Sequence, residues 1–141
     1  GPELLWSVTD AGKGYSSPVI AGNKIFVTGM DEDEKNEILT AYTLDGQKIY
    51  RITYGAAWNK SYPDTRTTPT VVGDKVFLIS GPGEVVCVNA NDGKIIWTVN
   101  GKEKFGVTTN VWGVSESPLV VDKKVIFTPG GGQTTMVAFD A

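Results

Sequence analysis

One kind of segment occurs three times in this chain, and that repetition limits the fold more than any single residue does. Ser17–Thr28 reads SPVIAGNKIFVT, Thr68–Ile79 reads TPTVVGDKVFLI, and Ser117–Thr128 reads SPLVVDKKVIFT. The prolines of the three segments are 51 and 49 residues apart. A second marker trails each of the first two: Asp45–Tyr50 (DGQKIY) and Asp92–Trp97 (DGKIIW), whose glycines are 47 residues apart. Leu4–Val8 (LLWSV) matches the tail of that marker, Ile95–Val99 (IIWTV), with nothing before it.

Within each repeat the pattern is that of strands. Short β-branched and aromatic runs are broken by Gly-Asn, Gly-Asp and Asp-Gly, which are hairpin-turn pairs. No stretch carries apolar residues at helical spacing over a useful length. In the second repeat the expected strands are Pro69–Val72, Lys75–Ser80, Glu84–Asn89 and Lys94–Val99. Four short antiparallel strands recurring at this interval are the signature of a β-propeller blade. The fold class expected is all-β, with four-stranded antiparallel meanders forming about three blades. The boundaries read as a leading outer strand over 1–8, blade one over 16–53, blade two over 67–99 and an incomplete blade three over 115–141. The prolines fall at strand starts, where a missing N–H does least harm.

Composition narrows the chemistry. The 141 residues include no histidine and one cysteine. That excludes a Ser-His-Asp triad, a His-bearing zinc site, a His general base, an internal disulfide and a CxxC knuckle. Cys87, within Val85-Val86-Cys87-Val88, reads as a buried thiol. A net charge of -3 and a pI near 4.9 argue against nucleic acid, whose readers carry a basic patch. No apolar run is long enough to span a membrane as a helix. The Gly1-Pro2 start, without Met or a signal peptide, reads as a processed, excised or tagged end.

The trailing marker resembles the tryptophan-docking repeat of pyrroloquinoline-quinone-type propellers, roughly Ala-x-Asp-x-x-Thr-Gly-x-x-x-Trp. Cys87-Val88-Asn89-Ala90-Asn91-Asp92-Gly93 followed by Trp97 fits it, with Cys for Ala, Asn for Asp and Asp for Thr. Ala41-Tyr42-Thr43-Leu44-Asp45-Gly46 followed by Tyr50 fits with one residue deleted and Tyr for Trp. Ala138-Phe139-Asp140-Ala141 begins it again. The resemblance covers nearly the whole chain and implies a relation to eight-bladed quinoprotein-like propellers. That family has catalytic members, the quinoprotein alcohol dehydrogenases, and a non-catalytic one, the barrel-assembly lipoprotein of the bacterial outer membrane. In it the Trp docks between blades, which implies structural docking roles for Trp6, Tyr50 and Trp97. It also implies a periplasmic or secreted location.

Propellers close with about four to eight blades. Three blades' worth of strands therefore implies partners: the remaining blades of a longer parent chain, or a second copy joined by strand exchange. In the exchange, residues 1–8 would complete the unfinished blade of the other copy.

The long segments Met30–Glu37, Tyr54–Thr67, Gly101–Glu116 and Pro129–Thr135 fall on one face of the meanders, where function is commonly placed. Two aromatic-polar clusters stand there, Ala57–Arg66 and Thr108–Glu116. In one role, Trp58 and Trp112 offer flat faces to a small molecule, a carbohydrate or a quinone, while Arg66, Asn110 and Glu116 supply the polar groups of a pocket. In the other, the aromatics plug the channel and pin the loops. The acidic run Asp31–Glu34 lacks EF-hand spacing and reads as a solvated turn. Gly81-Pro82-Gly83 and Gly130-Gly131-Gly132 lack the spacing, Lys and helix of a phosphate loop.

No catalytic constellation and no metal-ligand set is legible. The expected function is a non-catalytic binding or scaffold module of a bacterial envelope protein. The alternative is the front part of a quinone-dependent alcohol or sugar dehydrogenase, and under it the resemblance implies pyrroloquinoline quinone with calcium.

Overall fold

The structure is a computed structural model that describes residues 1–108 and 111–141. Its strands fall in three antiparallel meanders. Blade one holds β1 (Val19–Ala21), β2 (Lys24–Met30), β3 (Asn36–Thr43) and β4 (Lys48–Ala56) in that spatial order. Blade two repeats it with β5 (Thr70–Val72), β6 (Lys75–Ile79), β7 (Glu84–Asn89) and β8 (Ile95–Asn100). Blade three has β9 (Leu119–Val121), β10 (Lys124–Phe127) and β11 (Val137–Asp140). The all-β propeller architecture is thus present.

Turn chemistry sets the registers. Gly22 and Asn23 both take positive φ (54° and 61°), as a two-residue hairpin of the favoured hand requires, and they pair Ala21 with Lys24. In blade three the same positions are Asp122 and Lys123, at φ 47° and 59°, so two side-chain-bearing residues occupy the left-handed region.

Two apolar layers join the blades. Between blades one and two, Phe26, Leu39, Ala41 and Tyr54 meet Val76, Leu78, Val86 and Val88. Between blades two and three, Phe77, Ile79, Val85 and Cys87 meet Val125 and Phe127. The two faces of blade two are therefore both covered, which explains its unbroken apolar runs. Cys87 is fully buried, and burial pushes its thiol up to about 11. β1 lies beside β5 and β5 beside β9, so the short first strands share one side of the arc.

Two expectations need correction. Residues 1–8 form no strand in this structure; Trp6 instead donates from its Nε1 to the Leu44 carbonyl. A short helix, α1 (Gly101–Phe105), follows β8 where only a loop was expected. Asn100 caps it by accepting from the Glu103 N–H, and Gly106 ends it at φ 66°. Five residues are too few to leave a periodic signal. The helix places Phe105 against Phe127 and Phe139, at ring-centroid distances of 5.8 and 6.4 Å.

Candidate functional site

The β6–β7 turn and the connections between blades gather on one face. Trp58, in the connection from β4 to β5, is only 8% exposed. Its Nε1–H donates to the Ser61 carbonyl at 3.1 Å, closing a tight loop. A Cβ on Gly113 would come within 2.8 Å of its ring, so the connection into blade three lies directly on the indole. A Cβ on Gly81, in the β6–β7 turn, would come within 2.5 Å of Trp58 Cβ. The indole is a plug between three segments and offers no open face to a ligand. Lys60 Nζ sits 5.3 Å from its ring centre.

Arg66 and Trp112 do come together: an Arg66 guanidinium nitrogen donates to the Trp112 carbonyl. The Ser61 hydroxyl likewise donates to the Val111 carbonyl. These two bonds tie the first connection to the second. They leave Tyr62 (67% exposed) and Trp112 (50% exposed) as a tilted aromatic pair with centroids 4.8 Å apart. Glu116 is engaged by Thr128. Its carboxylate accepts from the Thr128 N–H at 3.0 Å and the Thr128 hydroxyl at 2.6 Å, which fixes the end of β10. Asn110 lies outside the described residues.

The acidic run is also spent locally. Asp31 accepts from the N–H groups of Lys35 and Asn36 and from the Asn36 side chain. Glu32 pairs with Arg51 and Glu34 with Lys13, so the run builds the β2–β3 turn. Among the described residues no group of three or more His, Cys, Asp or Glu is placed to hold a metal.

One residue here escaped the sequence reading. Glu37, at the start of β3, is 2% exposed. The Tyr54 hydroxyl donates to its Oε2 at 2.6 Å and the Gly81 N–H to its Oε1 at 2.9 Å. Burial pushes its carboxyl up to about 7, against hydrogen bonds from Tyr54, Gly81 and Trp58 that favour the anion. Its sequence neighbour, the acidic turn, gave no sign that this carboxylate is buried.

The docking aromatics make the joints. Tyr50 packs on Gly93, where a Cβ would come within 2.8 Å of its ring, and its hydroxyl donates to the Ala90 carbonyl at 3.3 Å. Trp6 packs on Gly46 in the same way, its Nε1–H donating to the Leu44 carbonyl at 3.1 Å. Trp97 meets Phe77 and Phe139 at 6.0 and 5.4 Å. Each aromatic stands one blade ahead of the turn or strand that receives it.

Successive four-stranded meanders locked by aromatics from the blade before define a quinoprotein-like propeller segment. The family described as outer membrane protein assembly factor BamB matches residues 2–141, and the chain belongs to it. No curated protein matches the chain in sequence. Among solved structures, a europium-containing methanol dehydrogenase superposes with a TM-score of 0.71 at 19% identity, over 98% of this chain and 25% of its own. BamB from Moraxella catarrhalis gives 0.63 at 15% identity, over 96% of this chain and 36% of its own. A quinohemoprotein alcohol dehydrogenase from Comamonas testosteroni gives 0.65 at 19% identity, over 94% and 20%. The chain therefore spans between a fifth and about a third of the length of these structures. No helix among the described residues is long and apolar enough to cross a membrane.

Proposed function

We propose that this segment belongs to a non-catalytic binding or scaffold propeller of the bacterial cell envelope. One observation carries the reading: four polar side chains of the loop face hold the loops. Trp58, Ser61 and Arg66 donate to backbone carbonyls of the connections, and Glu116 accepts from Thr128. Catalytic groups would instead converge on a point where a reacting atom could sit. Among the groups presented on this face is an aromatic pair. The Tyr62–Trp112 pair offers an aromatic surface to a small molecule or carbohydrate, whose flat apolar face stacks on such rings. The envelope placement rests on the family, which is described by an outer-membrane assembly factor.

Blade one supplies the partner surface. Trp6, Val8, Pro18, Ile20, Ile25 and Val27 line an open apolar hollow of about 330 Å³ on the side away from blade two. Ile20 there is 68% exposed. An apolar sheet face of this kind fits a further blade of a longer chain, or a second copy that pairs its β11 edge with residues 4–8.

The superposition on a methanol dehydrogenase favours a second reading, the front part of a quinone-dependent alcohol or sugar dehydrogenase. The described residues do not fit that cofactor with its calcium: Glu116 is engaged by Thr128, Trp58 is covered by Gly113, and no acidic cluster is placed for a cation. No chemical step is derived through it.

Two measurements on the 141-residue chain test these readings. Light scattering across a concentration range should show association, and a dimer lost on removal of residues 1–8 supports strand exchange. Titration with pyrroloquinoline quinone and calcium should leave the visible spectrum of the cofactor unchanged. Saturable binding of the quinone overturns the scaffold reading in favour of the dehydrogenase.

A further inference from the structure

Two segments of the chain share a sequence pattern and differ in structure. Leu4–Val8 (LLWSV) repeats Ile95–Val99 (IIWTV), and the latter lies in β8, the outer strand that β7 takes in blade two. Residues 1–8 lie in no strand and are exposed, Leu4 at 79% and Leu5 at 84%. They are anchored all the same. Trp6 packs on Gly46, and Asp10 accepts from the Tyr42 hydroxyl at 2.6 Å and from Lys48 Nζ at 2.7 Å. The segment so held borders the apolar hollow of blade one.

Blade three has the opposite lack. Among the described residues β11 pairs with β10 alone, whereas β3 and β7, at the same place in their sheets, each take a fourth strand. Such an edge binds an extended segment through main-chain hydrogen bonds, and side chains set the choice. Ile126 pairs with Ala138 as Phe77 pairs with Cys87, so Ala138 stands where Cys87 does. Across β7 and β8, Cys87 faces Trp97 and Val86 faces Thr98. On blade three that register sets Trp6 opposite Ala138 and Ser7 opposite Val137.

The sheet faces agree with the strands. Val76 and Leu78 of blade two, and Val125 and Phe127 of blade three, are buried against the blade before. Ile25 and Val27 hold those repeat positions in blade one and line the hollow. Leu39 and Ala41, then Val85 and Cys87, are buried against the blade after. Met136 and Ala138 hold those positions in blade three, and Met136 is 67% exposed. The lysine ties repeat too: Lys24 Nζ reaches Asn91 Oδ1 at 3.0 Å and Lys75 Nζ the Ala141 carbonyl at 2.9 Å, each on the next blade. Lys124 is their counterpart on blade three. Blade three thus presents what the rear face of a blade receives at both joints of the chain. Blade two stands between the strand donor and the strand acceptor, so the two meet in different copies.

We propose that this chain binds a second copy of itself head to tail. Residues 4–8 of one copy become the outer strand of blade three in the other, and the blade three face covers the blade one hollow. The contact joins two different surfaces, so each copy both gives and receives a strand, and the pair closes as a ring. Two copies supply six blades, within the range of about four to eight in which propellers close. The pairing rests on reading the blade one surface as a partner site, whereas the quinone titration tests the scaffold reading by itself, so either can fail alone.

The test mixes two variants of the 141-residue chain, Ser7→Cys and Val137→Cys, under mild oxidation. Cys87 is fully buried, so the wild type is the uncrosslinked control. The main product should be a disulfide-linked species near twice 15.1 kDa that contains one chain of each kind. With Asp140→Cys in place of Val137→Cys the cysteines are out of register, and the mixed species should be minor. Hydrogen exchange on the unmodified chain gives a readout that no substitution can disturb. The amides of residues 4–8 and 137–140 should gain protection together as concentration rises. Three results each overturn the proposal: no mixed species from folded variants, equal yields from the two mixtures, or amides of residues 4–8 that stay unprotected at every concentration.

Discussion

The backbone N–H of Ser17 donates to Thr68 Oγ1 at 3.1 Å, and the N–H of Thr68 donates to Ser117 Oγ at 2.9 Å. The residue before each repeat proline thus passes a hydrogen bond to the same residue one blade on. A residue preceding proline is kept extended, which leaves its N–H free to reach sideways. Thr70 adds a bond from its hydroxyl to the Pro118 carbonyl at 2.6 Å. The Ser/Thr-Pro pair is therefore a joint between blades as well as a strand start.

Thr68→Val keeps the side-chain shape but removes the oxygen that Ser17 uses. It should cost about 1 kcal/mol in chemical denaturation, the usual net value of one such bond. Ser17→Ala should cost much less, since Ser17 contributes its backbone N–H to this bond. Equal losses for the two variants would rule out the ladder.

Glycines in the turns separate two effects. Gly93 has φ +77°, and an added Cβ would meet the Tyr50 ring at 2.8 Å, whereas Gly73 has φ +61° and open space around it. Gly73→Ala should cost about 1 kcal/mol for the left-handed backbone alone. Gly93→Ala should cost roughly 2–4 kcal/mol because overpacking of the joint is added. Urea midpoints of the two variants check the difference.

Blade three carries Asp122 and Lys123 in backbone conformations that side chains disfavour. Replacing the pair by Asn-Gly, the preferred sequence for this turn, should stabilise the chain by roughly 1 kcal/mol. A thermal midpoint that does not rise would show that the strain is relieved elsewhere.

Stability should depend on pH in two separate windows. Glu37 binds its proton more tightly folded (about 7) than its ordinary value of 4.5. Its contribution is full below 4.5 and is lost as pH rises through about 7, in total about 3 kcal/mol from the size of the shift. Asp10 acts in the opposite sense, because Lys48 and then Tyr42 lower its carboxyl from 3.8 to about 2. Its contribution holds above 3.8 and is lost as pH falls through about 2. Denaturation midpoints from pH 4.5 to 8 should fall for the wild type and stay level for Glu37→Gln.

The strands and blades could be read because their signals are local. Proline, a β-branched run and a Gly-Asn or Asp-Gly pair recur within a dozen residues, and the pleat does the rest. Docking roles for Trp6 and Tyr50 were expected only through the family resemblance of the repeat, since no local pattern marks what either ring packs on. Glu37 was not legible, since its partners Tyr54, Trp58 and Gly81 lie far along the chain and no local pattern marks burial. For Trp58 the sequence left two roles open, a presented face or a plug, because no local pattern tells that Gly113 lies against its ring. Arg66 and Trp112 stand in different loops, and a sequence cannot show that the arginine meets the Trp112 carbonyl instead of open space.

The aromatic that secures each blade belongs to the segment before it, and this has a consequence for how the chain melts. Stability is shared between nearest neighbours, in the manner of a one-dimensional array. Blade two is packed between two neighbouring blades, while blades one and three are each packed against one among the described residues. Unfolding should fray inward from the two ends and reach the middle sheet last. Damage to a single joint would then cut the array into units that melt separately, turning one sharp transition into two shallow ones.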